Sequence, residues 1–224
     1  MTDWLEIGNC RIACGDCLQI LPELEAGSVD CIVTDPPYGL KEARNKNASR
    51  GGWAPATDYG FSTWDDSIPP RQVFDEMRRV SKQQVIFGGI YFTEHLPPSS
   101  SWAVWDKDNG RNDFADCELA WTSHKRAVRR IKWRWAGMFQ GDMRHKDARV
   151  HPTQKPEAVM RWILNTYTEP NALVLDPYLG SGTTLTACIQ TGRRGWGIER
   201  EPKYFSIAEK RIRNAWENRQ GKLF

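Results

Sequence analysis

The sequence predicts an α/β protein built on a doubly wound, mostly parallel sheet. Short apolar runs suited to buried strands alternate with segments of helical period, the pattern of a parallel sheet covered on both faces. Two of these runs end in Asp-Pro turns, at Asp35-Pro36 and Asp176-Pro177, and ligands of such sheets bind beyond the carboxyl ends of the strands. The length of 224 residues suits one domain with insertions, so residues 1–224 are expected to form a single unit.

The elements follow in order. Residues 10–15 are a short strand ending at Gly15-Asp16, and a helix places Cys17, Leu18, Leu21 and Leu24 on one side. Val29 to Thr34 is a buried strand, stopped by Pro36 and Pro37. Residues 39–70 carry Gly51-Gly52, Pro55, Gly60 and Pro69-Pro70 with little periodicity. A connection this long inside a compact domain is expected to be either functional or disordered, and it is read as a mobile loop beside the site. Gln72 to Ser81 is a helix with Val73, Met77 and Val80 inward, and Gln84 to Phe87 is a strand ended by Gly88-Gly89. Trp102–Trp105 and Cys117–Trp121 are two further strands. Val128 to Trp135 alternates, with Ile131, Trp133 and Trp135 on one face and Arg130, Lys132 and Arg134 on the other. Residues 136–150 are expected to be irregular. Helix Pro156–Asn165, strand Leu173–Leu175, a loop and helix through Gly192, strand Trp196–Ile198 and helix Lys203–Arg219 complete the chain.

Composition narrows the function classes. No run approaches the roughly 20 apolar residues of a membrane helix, and the start has no basic segment followed by an apolar one. Both features point to the cytoplasm. A net charge of +3 identifies no partner, but six basic residues and no acid lie between Lys125 and Arg134, a patch suited either to phosphate backbones or to bulk solvent. The six cysteines include one CxxC, Cys14 and Cys17, without the second pair or the spaced histidines of a zinc site. Reduced thiols and no metal are expected.

Two motifs carry chemistry. In Asp35-Pro36-Pro37-Tyr38 a carboxylate and a rigid carbonyl can hold one amine between them. An aryl amine is a poor nucleophile because its lone pair is conjugated with the ring. Two acceptors set out of the ring plane, the Asp35 carboxylate and the Pro36 carbonyl, favour a pyramidal nitrogen whose lone pair faces an electrophile. Tyr38 offers a ring on which a base can stack, worth about 1–3 kcal/mol. The second motif runs Asp176-Pro177-Tyr178-Leu179-Gly180-Ser181-Gly182-Thr183-Thr184, from a strand into a helix. Gly180 and Gly182 permit close approach of the backbone to a ligand, and the helix amino terminus favours an anion. It is neither a phosphate loop with a trailing lysine nor the dinucleotide fingerprint, since Leu185 stands where the third glycine would be. Glu199 ends the next strand, where an acid can grip ribose hydroxyls.

At these motifs the chain resembles the amino-methyltransferases of DNA, of the class in which the catalytic motif precedes the cofactor loop. A third motif of that family stands as His151-Pro152-Thr153-Gln154-Lys155-Pro156. The resemblance implies a Rossmann-like methyltransferase fold with a reversed terminal hairpin, in which the first half of the sheet comes from the C-terminal segment, so the order is circularly permuted. It implies S-adenosyl-L-methionine as cofactor, and Asp35, Pro36, Pro37 and Tyr38 as the catalytic residues. It implies cofactor contacts by Asp16 and Cys17 at the adenine, by Glu199 at the ribose, and by His151, Thr153 and Lys155 near the methionine end, where Lys155 can pair with the carboxylate. Asp35, Asp176, Tyr178, Gly180, Ser181, Gly182, Thr183 and Thr184 complete that set.

The resemblance also implies double-stranded DNA as partner, a target base flipped into the site, and a restriction-modification setting. Lys41 and Arg44 after the catalytic motif, with Arg130, Lys132 and Arg134, are the expected DNA contacts. The target-recognition segment is confined to about residues 123–150, short for reading an extended sequence. A short site, loose specificity or a homodimer are the options. Adenine-N6 is the expected target, because relatives acting on cytosine-N4 more often carry serine in place of Asp35. Cytosine-N4 methylation is the first alternative. A catalytically silent DNA-binding protein is the second, opposed by the intact Asp35, Tyr38, Gly180, Gly182 and Glu199.

Overall fold

The computed structural model describes residues 2–40, 65–110, 115–136, 139–148, 150–151 and 153–221. Within them one sheet of nine strands organises the chain. Strand β1 (Leu5–Ile7) and β2 (Cys10–Cys14) form an antiparallel hairpin. The sheet continues through β11 (Arg194–Glu199), β10 (Leu173–Asp176), β3 (Val29–Thr34) and β4 (Ser81–Phe87), each parallel to its neighbour. Next comes β6 (Cys117–Thr122), antiparallel to both β4 and β5 (Trp102–Asp106), and β7 (Arg129–Lys132) closes the edge parallel to β5. This is the doubly wound sheet with a reversed terminal hairpin that the sequence led us to expect. The permutation is visible in it: β2 and β3, consecutive in the first half of the chain, are separated by the C-terminal strands β10 and β11.

The period of two along the central strands decides what each face buries. Ile32, Ile86 and Leu175 point to a core shared with α1 (Cys17–Ile20) and α2 (Arg71–Val80). Their neighbours Cys31, Val33, Val85, Phe87 and Val174 point to the opposite core, shared with α3 (Glu157–Tyr167) and α4 (Thr183–Thr191). Helix α5 (Pro202–Gln220) packs Ala208 and Ile212 against α4 and the β1–β2 hairpin. The central strands β3, β10 and β11 are thus held from both sides, and the loops at their carboxyl ends stand on a packed floor.

Three expectations need correction. Leu5–Ile7 forms a strand where none was read, because three residues are too few to show a period. The single strand expected over 128–135 stops at Lys132. The Trp133 amide donates to the Asp106 carbonyl and its own carbonyl accepts from the Trp105 indole, both at 2.9 Å, which turns the chain away. The segment expected to be irregular then opens with a small hairpin, β8 (Trp135–Ala136) against β9 (Phe139–Gln140). Ile131, Trp133 and Trp135 nevertheless pack against the second core, as the alternation required.

Candidate active site

The site begins where β3 and β10 end side by side. Thr34, the last residue of β3, donates its hydroxyl to Asp176 Oδ1 at 2.7 Å. Asp176 Oδ2 accepts from the Thr184 hydroxyl at 2.6 Å, and Oδ1 also accepts from the Tyr178 amide. One buried carboxylate therefore fastens the end of β3, the glycine loop and the start of α4 to one another. Burial lifts its pKa to about 6, against the pull of the two hydroxyls.

The loop that follows makes the wall of a cleft of about 220 Å³. Gly180 and Gly182 both have positive φ, and a Cβ on Gly182 would lie 3.1 Å from Ala208 of α5, so this turn needs glycine. The Gly180 amide donates to Glu199 Oε2 at 2.7 Å and the Glu201 amide to Oε1 at 2.8 Å. Burial raises the Glu199 carboxyl to about 7 despite these donors. Asp16 caps α1 by accepting from the Leu18 amide at 2.9 Å, which aims the helix start into the same cleft. Cys17 is buried beside it, hydrogen-bonded to Tyr178, and burial pushes its thiol up to about 11, so it is an inert wall.

His151 stands over Gly180 and packs edge-on against Tyr204 at 4.2 Å. Burial, with Lys155 and Arg211 nearby, drives its pKa down to about 3, so it is a neutral imidazole, and Thr153 contacts its Nδ1 through both amide and hydroxyl. The cleft brings together Asp16, Cys17, Asp35, Pro37, His151, Thr153, Lys155, Asp176, Tyr178, Gly180, Ser181, Thr183, Thr184 and Glu199 from five separate stretches of sequence.

Asp35 sits at the other end of the cleft. Tyr38 donates its hydroxyl to Oδ1 and Lys155 its ammonium to Oδ2. Burial and the nearby Glu118 raise the Asp35 carboxyl above its ordinary value, although Lys155 opposes them. The Tyr38 ring stacks on Tyr91 with centroids 4.9 Å apart and lies against Gly88, where any Cβ would run into it. Gly88, the first residue after β4, is thus the seat of the Tyr38 ring as well as a strand end, while Gly89 lies against Trp121 and Trp102.

Lys155 was expected to face the carboxylate of the cofactor. In the structure its ammonium is paired with Asp35, and with Glu118 Oε2 at 3.2 Å. Arg130, Lys132 and Arg134 lie together at the sheet edge, exposed, and pair with Asp106 at 3.7 Å and with Asp108 at 2.8 and 3.2 Å. Lys41 and Arg44, with most of the loop expected over 39–70, lie outside the described residues. The described ends of that loop meet where the Gly39 amide donates to Asp65 at 3.0 Å, and Ile68 and Pro69 line the cleft.

Four contributors escaped the sequence reading. Glu118 is an acid inside the apolar run Cys117–Trp121, and that incongruity was a signal. Arg211 of α5 holds the glycine loop through the Ser181 carbonyl at 2.7 Å and hydroxyl at 2.9 Å. It is one of several basic residues on that helix, and nothing in the sequence sets it apart. Thr34 and Tyr91 likewise carry no local mark.

The donor set suits a nucleoside joined to an amino acid. Two carboxylates stand at one end, one lifted to about 7 and able to accept from hydroxyls. The amino terminus of α4, with Arg211 behind it, stands where a carboxylate is favoured. Comparison with known proteins agrees. The family described as DNA methylase matches over residues 98–210, half of the chain. This chain belongs to the DNA methylase family, whose members methylate the N6 or N4 amine, and the cofactor of that family is S-adenosylmethionine. It is 27% identical to the Type II methyltransferase M.HinfI of Haemophilus influenzae, across 91% of this chain and 68% of that one. It is 27% identical to the Type II methyltransferase M.HpaI of Haemophilus parainfluenzae, across 90% and 74%. Its fold matches the M1.HpyAVI–SAM complex with a TM-score of 0.60, at 23% identity over 91% of this chain and 98% of that one. It also matches the cytosine-N4-specific PvuII DNA methyltransferase with a TM-score of 0.59, at 16% identity over 95% and 93%.

Proposed function

We propose that this DNA methylase transfers a methyl group from S-adenosylmethionine to the N6 amine of an adenine flipped out of duplex DNA. The observation that carries the reading is that Asp35 and Glu199 open onto one cleft, so an amine acceptor and a nucleoside site face each other. When bound, S-adenosylmethionine supplies a methyl group on a positive sulfur. Glu199 and Asp16 hold the nucleoside end, and the Gly180–Gly182 turn with the amino terminus of α4 receives the carboxylate end.

Asp35 and the Pro36 carbonyl then each accept a hydrogen bond from one amine N–H, which turns the nitrogen lone pair towards the methyl donor. A carboxylate has about four acceptor positions, so Asp35 can accept from the amine while Lys155 stays bound to it. Tyr38 supports the base by stacking. The lone pair forms the new nitrogen–carbon bond as the sulfur–carbon bond breaks, and the nitrogen sheds a proton. Asp35 is suited to receive it, because burial raises its carboxyl above the ordinary value and so makes it a stronger base.

Adenine is favoured by aspartate, rather than serine, at position 35. Cytosine-N4 methylation remains the second reading, because a cytosine-N4-specific enzyme shares the fold and the two amines are chemically alike. The test is transfer of labelled methyl to unmethylated DNA, followed by hydrolysis to nucleosides. Label in N6-methyladenine supports the proposal, label in N4-methylcytosine selects the alternative, and DNA retention without label would make the chain a silent binder.

A further inference from the structure

Beyond the motifs, one chain of charge touches the reacting end of the cleft. Lys155 is only 8% exposed at its side chain. It lies 5.3 Å from the centre of the Phe87 ring and 5.7 Å from that of Tyr38, among groups that cannot replace water. A buried ammonium is costly unless it is paired and hydrogen-bonded. Here it has two carboxylates, Asp35 and Glu118. Glu118 in turn has a second cation, with Lys107 Nζ 2.7 Å from its Oε1. The four charges alternate in sign from Asp35 through Lys155 and Glu118 to Lys107, and sum to zero.

We propose that Lys155 is a positioning residue for Asp35, and that Glu118 governs how strongly it acts by competing for the same ammonium. The proposal rests on the reading of Asp35 as the acceptor of the target amine. With a lysine wholly its own, Asp35 would have its charge neutralised and its lone pairs drawn towards the lysine. With no lysine, burial and Glu118 would push its carboxyl higher still, towards a hydroxyl in place of an acceptor. Lys155 favours the ionised form of Asp35, and its division between Asp35 and Glu118 leaves the remaining lone pairs of Asp35 available. Tyr38 fixes its other oxygen, and Asp176 adds a second negative charge from β10. The direction of each influence agrees: Lys155 lowers the Asp35 pKa and Glu118 raises it. This differs from pairing Lys155 with the carboxylate of the cofactor, and the two assignments part in experiment.

The test uses the full chain with carbon-13-labelled aspartate carboxyls, the Asp35 resonance being assigned by its loss in Asp35→Asn. Its titration is followed in the wild type, Lys155→Met and Glu118→Gln. The proposal expects opposite shifts, the midpoint rising by about 1–3 pH units in Lys155→Met and falling in Glu118→Gln. In parallel, S-adenosylmethionine binding to Lys155→Met should stay within about threefold of wild type. The turnover of that variant should fall more than tenfold at pH 7 and recover in part at higher pH, as a merely structural lesion would not. Shifts of one sign in both variants, or none, would overturn the proposal. So would a collapse of cofactor affinity in Lys155→Met, which would return the lysine to the cofactor. The carboxyl titration needs no turnover, so failure of the charge network and failure of the methylation reading give separate results.

Discussion

Thr34 and Asp176 are 142 residues apart in sequence, yet the Thr34 hydroxyl donates to the Asp176 carboxylate at 2.7 Å. That bond joins the end of β3, which leads into the Asp35–Tyr38 turn, to the end of β10, which leads into the Gly180–Gly182 loop. Thr34→Val would keep the shape and leave a buried acceptor with one donor fewer, at a cost of about 1–3 kcal/mol. The pH dependence follows from the sign of the Asp176 shift. Its folded pKa, about 6, lies above its ordinary 3.8, so its contribution is full below about pH 4 and is lost as pH rises through 6. Removing a donor raises the folded value further. Urea unfolding should therefore show a larger loss for Thr34→Val at pH 8 than at pH 5, and an equal loss at both would remove Asp176 from the explanation.

Glu199 gives a second pH dependence, in binding. Its carboxyl is raised to about 7 by burial, and ribose hydroxyls donate best to the ionised form. S-adenosylmethionine affinity should weaken as pH falls from 8 to 6, with proton release on binding at pH 7. Glu199→Gln should bind more weakly at pH 8 and lose the dependence. Calorimetry in buffers of different ionisation enthalpy measures both effects. Affinity flat across this range in the wild type would contradict the role given to Glu199.

Gly88 has φ +66, and any Cβ there would run into the Tyr38 ring. Gly88→Ala carries the left-handed backbone penalty of about 1–2 kcal/mol and also displaces the ring. Turnover should fall more than tenfold with cofactor affinity little changed. Fluorescence of a base analogue that brightens when unstacked should show a less stable flipped state. Normal turnover would mean that Tyr38 does not have to sit where this structure puts it.

Asp108 holds Lys132 and Arg134 at 2.8 and 3.2 Å on an exposed face. Such pairs are worth about 0–1 kcal/mol, so phosphates can take the cations over, but the carboxylate repels them. If this edge meets DNA, Asp108→Asn should tighten binding severalfold at low salt. Neutralising Arg130, Lys132 and Arg134 should flatten the salt dependence by about 0.9 log units per lost phosphate contact. Affinity unmoved in both variants would show that the basic edge faces solvent.

What the sequence disclosed follows from the range of each interaction. The parallel core was legible because strands such as β3 are buried on both faces, so that Cys31-Ile32-Val33 reads as an apolar run without alternation. The cofactor loop was legible because its glycines are required by local backbone geometry. The break after Lys132 was not, since the Trp133 carbonyl is claimed by an indole 28 residues away. Nor was the partner of Lys155, 120 residues distant at Asp35. A charge network of this kind is written in no local pattern, and only an acid misplaced in an apolar strand, Glu118, hints at it.

The central claim is that Asp35 holds the target amine for methyl transfer. The direct measurement is single-turnover transfer of labelled methyl from S-adenosylmethionine to unmethylated duplex DNA, comparing the wild type with Asp35→Asn and Asp35→Ala. Cofactor binding and thermal unfolding of each protein serve as controls. The account predicts label in an exocyclic amine for the wild type. It predicts rates at least a thousandfold lower in both variants, equivalent to about 4 kcal/mol of barrier, with cofactor binding and folding retained. A variant rate within about tenfold of the wild type, or about 1.4 kcal/mol, would contradict it.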